Sequence, residues 1–572
     1  MTTQFKGGKF INRYLIKTTL TALSSFHIGD GKTTTRKGMT DKEREKLKIN
    51  AIVTDAHGKA YIPGSSLRGA MRDWLRQAYE AMSENLDDET AKEKINDIRN
   101  SLKEQKEKDK ELLAFIIEKV STLDRVFGTQ YNEGKLEVWD AYCASEVVTP
   151  TKDDGLWCGW DKDRLTYVAK SVAINPETGT ADDGKLYNYE LVPSGAMFKA
   201  IFSAQNLSPE EAALLLAILN GFNHKNNPIV LGAMTKLDFG RFKISEEFKI
   251  YRVDSTNLAT WRNLAENEKN ADAGYDSIAR KEFELKKEER EKLEVTALPV
   301  TKSLNKHAEE LTFTLETPMV IRSGSSAGWK NAAKSKTRNY KMEFKWDATP
   351  QELENRYDRI GDLYHSLKIV GDQPTPYYHI PSSSIRGALR AWTIKRLLPQ
   401  DWWDIEKKLK EGAMTNLPPY FDNILSLFGF AIEGADKKIT RNYTKAGRLT
   451  IRVAPFENGQ VVPAVDGNDW ENPSVDNFGP ANAARHVKPR NPLDRITHAA
   501  KEGGLHNFLE FSRGQELVFT IEIREPKEFD LTLLERWKVE INSGMIRFGG
   551  LTGIGRGRVM LKKEEVIPHG EE

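Results

Sequence analysis

The chain has 572 residues, and 85 Lys+Arg against 83 Asp+Glu leave a formal charge of +2. That length implies more than one core, and 39% hydrophobic with 29% charged residues fits a soluble globular protein whose near-neutral total neither favours nor excludes nucleic acid. Cys143 and Cys158 are the only cysteines, which excludes a disulfide framework and a cysteine-based zinc site; with no secretory h-region and no long apolar run, the expectation is a cytoplasmic chain with no membrane partner.

Residues 14–20 alternate apolar and polar side chains and predict a strand. Next, 26–33 (Phe-His-Ile-Gly-Asp-Gly-Lys-Thr) read as a glycine-flexed loop. Its Gly31-Lys32-Thr33 hints at a phosphate-binding loop, but that motif needs a glycine where Phe26 stands, so neither nucleotide hydrolysis nor a nucleotide cofactor is expected. Asp30, exposed on such a loop, suits a divalent cation or the orientation of a nucleophile, with His27 as a neighbouring acid or base. On the residues alone an Asx turn is the favoured account of Asp30.

Residues 61–72 (Tyr-Ile-Pro-Gly-Ser-Ser-Leu-Arg-Gly-Ala-Met-Arg) open a helix. Ser65 or Ser66 would cap it, and Leu67, Ala70, Met71, Trp74, Leu75 and Ala78 form its apolar stripe. Arg68, Arg72 and Arg76 share another stripe, which suits either a phosphodiester backbone at a capped helix start or plain solvent. A charged stretch at about 83–118 reads as inserted helices, and 184–195 as a strand pair or projecting hairpin. Ser208 caps a further helix with Pro209 at its first position. The glycine-rich stretch 232–240, flanked by Lys236 and Arg241, offers bare amides to a phosphate, or is a tight loop before a last strand.

After a charged connector, whose 280–292 stretch reads as a solvated helix or mobile linker, the pattern returns. Residues 379–390 (His-Ile-Pro-Ser-Ser-Ser-Ile-Arg-Gly-Ala-Leu-Arg) repeat 61–72, and the glycine-rich 549–557 with Arg556 and Arg558 repeats 232–241. Ordered matches of this kind indicate a duplicated domain. The expected division is 1–250, a connector at 251–307, and 308–572. Each copy reads β–α–β…α–β, an α+β, ferredoxin-like plan with long insertions. Placing Gly29 on Gly324 sets Ser325 opposite Asp30, so a catalytic Asp30 implies a silent second copy.

These motifs together resemble the RAMP superfamily of CRISPR systems, and within it the backbone subunits of type III effector complexes. Two such domains in one chain resemble a fused, III-D-like backbone subunit. The resemblance rests on His27-Ile28-Gly29, the Pro-X-Ser-Ser-X-Arg-Gly helix starts, Phe127-Gly128 with Gly134-Lys135-Leu136, Phe428-Gly429 with Gly447-Arg448-Leu449, and the two glycine-rich loops. It implies an RRM-like palm gripping guide CRISPR RNA by its backbone. It also implies thumb hairpins at 174–195 and 493–514 that wedge into the duplex with complementary target RNA, through Leu186 and Leu505 with Tyr187 and His506 beside them.

Ser65, Ser66, Arg68, Arg72, Lys236 and Arg241, with Ser383, Ser384, Arg386, Arg390, Arg556 and Arg558, become RNA contacts under this resemblance. Asp30 becomes an endoribonuclease residue working with Mg²⁺ or another divalent cation, and other type III subunits become partners. Two alternatives stay open: a scaffold that leaves cleavage to other subunits, and a metal-independent guide-processing endonuclease acting through His27.

Overall fold

The computed structural model describes residues 10–34, 48–78, 97, 122–128, 133–147, 160–174, 181–225, 227–246, 248–267, 278–295, 306–331, 342–345, 358–397, 408, 419–429, 446–454, 485–490, 493–494, 497–499 and 506–562. Leu505, and the insertion at 83–118 apart from Asp97, lie outside the described residues.

The first copy contains β1 (Asn12–Ala22), β2 (Gly29–Thr34), β3 (Ile49–Ile52), β4 (Tyr61–Ile62), α1 (Gly64–Ala78), α2 (Thr122–Phe127), β5 (Leu136–Val138), β6 (Ala141–Cys143), β7 (Tyr167–Ile174), β8 (Ala181–Leu191), β9 (Met197–Gln205), α3 (Pro209–Asn220) and β10 (Phe242–Ile244). Its main sheet runs β10-β1-β9-β6-β4, with β5 also on β9, and every pair is antiparallel. That is the ferredoxin-like order, with α1 and α3 crossing over one face. The α1 stripe is buried as expected at Leu67, Met71, Trp74 and Leu75, packed with Leu214, Leu215, Phe198 and Phe202 in one core. Each of these side chains contributes about 1.5–3 kcal/mol by leaving water.

The stretch after residue 248 corrects the linker expectation. β11 (Lys249–Asp254) extends the sheet along β1, α4 (Leu258–Asn267) follows, and α5 (Lys287–Val295) is the predicted charged helix. Leu15, Tyr251, Val253, Ile278 and Phe283 bury a small core of their own, so apolar residues spaced through a charged stretch seat it on the first copy.

The second copy comprises β12 (Lys306–Leu315), β13 (Arg322–Asn331), β14 (Met342–Lys345), β15 (Asp358–Leu363), β16 (His365–Val370), β17 (Gln373–Tyr378), α6 (Ser382–Leu397), α7 (Pro419–Phe428), β18 (Leu449–Val453), β19 (Arg485–Arg490), β20 (His506–Phe511), β21 (Glu516–Arg524), α8 (Glu528–Asn542) and β22 (Val559–Leu561). Its main sheet, β18-β21-β12-β22, repeats the same order. A core of Ile385, Leu389, Trp537, Phe519 and Phe548 lies under α6 and α8.

Each copy carries a second sheet, β2-β3-β8-β7 in the first and β14-β13-β15-β20-β19 in the second, each with one parallel pair. Three expectations are corrected here. Residues 29–34 form a strand of this sheet rather than a loop, because the Gly-Asp-Gly bulge lets 33–34 rejoin the β3 register. The block 184–195 is one strand and its turn, and its hairpin partner is the earlier β7. The helix starts are capped not by Ser65 or Ser66 but at proline: the Pro63 carbonyl accepts from Ser66 N and Leu67 N, and the Pro381 carbonyl from Ser384 N. The serines sit in the first turn, and Asp140 Oδ1 accepts from Gly64 N at 2.7 Å.

The two copies pack against each other. Leu367 of β16 is buried with Tyr167, Ala169 and Leu191 of the first copy. Ile369 N donates to Ser194 O at 2.7 Å. Gly195 sits at φ +83°, where a Cβ would lie 2.3 Å from Ile369 O, so only glycine admits this contact.

Candidate nucleic-acid interface

The repeated helix arginines turn inward. Arg68 donates to the Phe127 carbonyl and Arg386 to that of Phe428, with a further bond from Arg386 Nη1 to Leu449 O at 3.0 Å. Gly134 and Gly447 press on the same two turns, where a Cβ would come within 2.6 Å of Phe127 C and 2.8 Å of Phe428 C. The distant Phe-Gly and Gly-Lys/Arg-Leu motifs are thus one device with the helix arginine. The cation of that motif anchors α3 or α8: Lys135 Nζ meets Glu211 at 2.6 Å, and Arg448 meets the fully buried Asp530 at 2.6 Å. Arg72 pairs with Asp124 at 2.5 Å. Ser65 and Ser383 are exposed, while Ser66, Ser384 and Arg390 are half-buried.

Asp30 is exposed on β2, and its Oδ1 accepts from Lys32 N at 2.8 Å, an Asx turn inside the bulge. Behind it lies a buried polar group. Glu190 receives Arg164 through two bonds of 2.9 and 2.8 Å, Ile52 N at 2.9 Å and Thr166 Oγ1 at 3.2 Å. Bonding to Glu190 holds the Arg164 guanidinium above its ordinary range, and the Asp30 charge adds to that pull. His27 is buried, with Nδ1 2.8 Å from Glu190 O; a carbonyl only accepts, so Nδ1 carries the proton and a neutral ring presents Nε2 as acceptor. Gly29 leaves room for that ring, since a Cβ there would sit 2.9 Å from Nε2.

Asp30 Oδ2 and solvent suit a hydrated divalent cation shared with a phosphate. Among the described residues no group of three His, Cys, Asp or Glu side chains could hold a metal by itself.

Register identifies the counterpart of Asp30. The Ile28 carbonyl accepts from Val53 N and the Ile321 carbonyl from Tyr364 N. Gly29 pairs with Ile52 and Thr33 with Asn50, while Arg322 pairs with Leu363 and Ser326 with Gly361. Both copies thus carry the same bulge, and Ser323, not Ser325, stands where Asp30 stands. The sequence alignment matched glycine to glycine and slipped because Arg322, not a glycine, stands where Gly29 stands, although Ala22 to Ile28 and Leu315 to Ile321 run in step.

The glycine-rich loops share one backbone: a left-handed residue (Met234, Leu551), a 3₁₀ turn (Thr235–Leu237, Thr552–Ile554) and a second left-handed residue (Asp238, Gly555). Each folds back on its early strand, through Ala233 N to His27 O and Gly550 N to Val320 O. Arg241 pairs with Asp238 at 2.7 Å, and Arg558 with Glu316 at 2.5 Å. Arg556 is held by the buried Glu510 at 2.8 Å. The loops differ in what covers them. The second has Gly553, Ile554 and Gly555 exposed, whereas the first reaches into the second copy, where Asp238 meets Arg452 at 3.5 Å. Burial beside Arg524 and Arg386 pushes the Lys236 ammonium down to about 8.

Between the copies lies a cleft of about 160 Å³ whose lining mixes polar and apolar side chains. Ser24, Ser194 and Arg241 line it from the first copy, and Lys368, Ser382 and Ser383 from the second. One glycine-rich loop and the opposite copy's helix start therefore share one cavity. His379 closes its floor, bonded through Nε2 to Ser366 Oγ at 2.8 Å and stacked on Tyr377. Burial pushes that imidazole down to about 4. Tyr187 is exposed on β8, Leu186 lies beside it on the strand, and His506 begins β20. Sequence reasoning missed Ser194, Lys368 and His379, which acquire meaning only when the copies meet; the one signal was their place beside the repeated motifs.

The family model of the RAMP superfamily matches residues 19–243 and 312–560. No curated protein matches the chain.

Proposed function

The chain belongs to the RAMP superfamily in both of its halves, and we propose that it is a guide-RNA-binding backbone subunit of a type III, III-D-like CRISPR ribonucleoprotein in the cytoplasm, one that binds complementary target RNA and cuts it at Asp30. The family is one of CRISPR-associated RNA-binding subunits that work in complexes. The observation that carries the reading is the inter-copy cleft, where the Asp238–Arg241 end of one loop faces the α6 start and Lys368 of the other copy. Helix-start amides and a nearby cation suit phosphate oxygens and read no base sequence.

Asp30, exposed at one edge of the second sheet, would hold Mg²⁺ or another divalent cation through Oδ2. Such a cation, when bound, neutralises charge at a scissile phosphate. The Glu190 cluster fixes the strand behind it, and Ser323 lacks the charge for that role in the second copy. A scaffold role without cleavage is favoured by one observation: Asp30 Oδ1 is already used in its turn. The buried, carbonyl-bonded His27 weighs against a metal-independent processing enzyme.

The reading is tested by binding single-stranded RNA to the full chain across a salt series. Log affinity should fall linearly, by about 0.7 per contacted phosphate for each tenfold rise in salt, and Lys368→Ala should reduce the slope by about one contact. A salt-independent affinity, or no binding, would remove the reading.

A further inference from the structure

We propose that a second cavity in the seam between the copies is a seat for one phosphate group, built by the fusion of the two domains and distinct from the cleft above. It lies where Asn227, Val230, Thr235 and Lys236 of the first copy cover the open face of the second copy's main sheet. Lys306, Thr450, Arg452, Glu522 and Arg524 supply that face. These strand positions alternate with the core residues Leu449, Ile451, Ile521 and Ile523, so they point away from the core, toward the first copy.

The charge there is unbalanced. Four cations, Lys236, Lys306, Arg452 and Arg524, surround one carboxylate, Glu522. Glu522 is already engaged by Lys306 at 2.7 Å and by Arg452 Nη2 at 3.0 Å. Asp238 also reaches Arg452, at 3.5 Å. Lys236 and Arg524 form no ion pair among the described residues, and Arg386 adds its field from below. Burying like charges together costs stability unless an anion joins them.

The first copy shows that the fold itself does not demand this cluster. By strand register, Glu137, Trp139, Ser203, Gln205 and Arg13 occupy the positions of Thr450, Arg452, Glu522, Arg524 and Lys306. One cation there replaces three. The cavity measures about 40 Å³, which on this measure holds about three waters or one tetrahedral oxyanion. The Thr235 and Thr450 hydroxyls complete a donor set of ammonium, guanidinium and hydroxyl groups. Among the described residues that line it the face offers no aromatic ring for base stacking, which points to the phosphate rather than to a nucleobase.

The source of the group is either a free phosphate or one phosphodiester of a bound RNA, and a single readout separates them. Lys236 in the full chain is acylated with an amine-selective reagent across pH 7–11 and followed by peptide mass spectrometry. This is done in chloride, in inorganic phosphate at matched ionic strength, and with a single-stranded RNA. An anion in the seat raises the ammonium from about 8; a rise of about one unit slows labelling at pH 8 about fivefold. Protection by inorganic phosphate assigns a small-anion site, and protection by RNA alone assigns a phosphodiester. Arg524→Gln should abolish the protection and Arg524→Lys should restore part of it. Labelling unchanged by both phosphate and RNA overturns the proposal, as does full protection in a folded Arg524→Gln. Should Arg524→Gln fail to fold, the wild-type comparison alone decides. RNA that binds without shielding Lys236, where inorganic phosphate does not shield it either, leaves the RNA-backbone reading standing and ends this one.

Discussion

Arg68 and Arg386 show how a residue's chemistry is settled by what the chain places beside it. Each is a plausible phosphate ligand by spacing, and each is spent on a carbonyl of its own domain. Arg68→Ala should therefore lower stability by about 1–3 kcal/mol, the cost of an orphaned buried acceptor. Chemical denaturation measures that, and the salt slope of RNA binding by the folded protein should not change. His379 supplies a pH prediction. Its folded pKa of about 4 lies below the unfolded value of 6.5, so the unfolded chain binds the extra proton between those values. Stability is intact above pH 6.5 and falls as pH drops toward 4. The melting temperature should decline over that window, and His379→Gln should flatten the decline.

At the scale of elements, glycine decides where the copies can touch. Gly195→Ala would drive a methyl into the Ile369 carbonyl at a positive φ and should open the β16 contact. Hydrogen exchange at the Ile369 amide, protected by Ser194 O in the wild type, should accelerate by an order of magnitude or more. A rate no faster than wild type would mean that other contacts carry the seam. Much of this level is legible in the sequence. The alternation at 14–20, the α1 stripe and the Ser208 cap with Pro209 follow from local physics, and all are present. Proline capping escaped because a backbone carbonyl leaves no side-chain signature, and the Asp30 bulge because it appears only in the register with β3. The connector misled because its charged surface hides four widely spaced apolar anchors, at Tyr251, Val253, Ile278 and Phe283.

For the whole molecule, duplication was readable as repeated motifs, but its consequence was not. Equivalent loops have unequal surroundings, one half-buried against the other copy and one open. Leu191 and Phe239 meet the second copy's Leu367, at positions where the second copy itself carries Glu510 paired with Arg556. Two domains of one fold thus differ at equivalent positions, with an apolar join on one and a buried ion pair on the other. The same asymmetry separates Asp30 from Ser323. It is best probed by target-RNA cleavage with Mg²⁺ in the guide-loaded assembly proposed for the chain, comparing wild type, Asp30→Ala and Ser323→Ala. The expected result is loss of one cut with target binding intact in Asp30→Ala, and an unchanged pattern in Ser323→Ala. An unchanged pattern in both variants would contradict a nuclease in the first copy and leave the chain a scaffold.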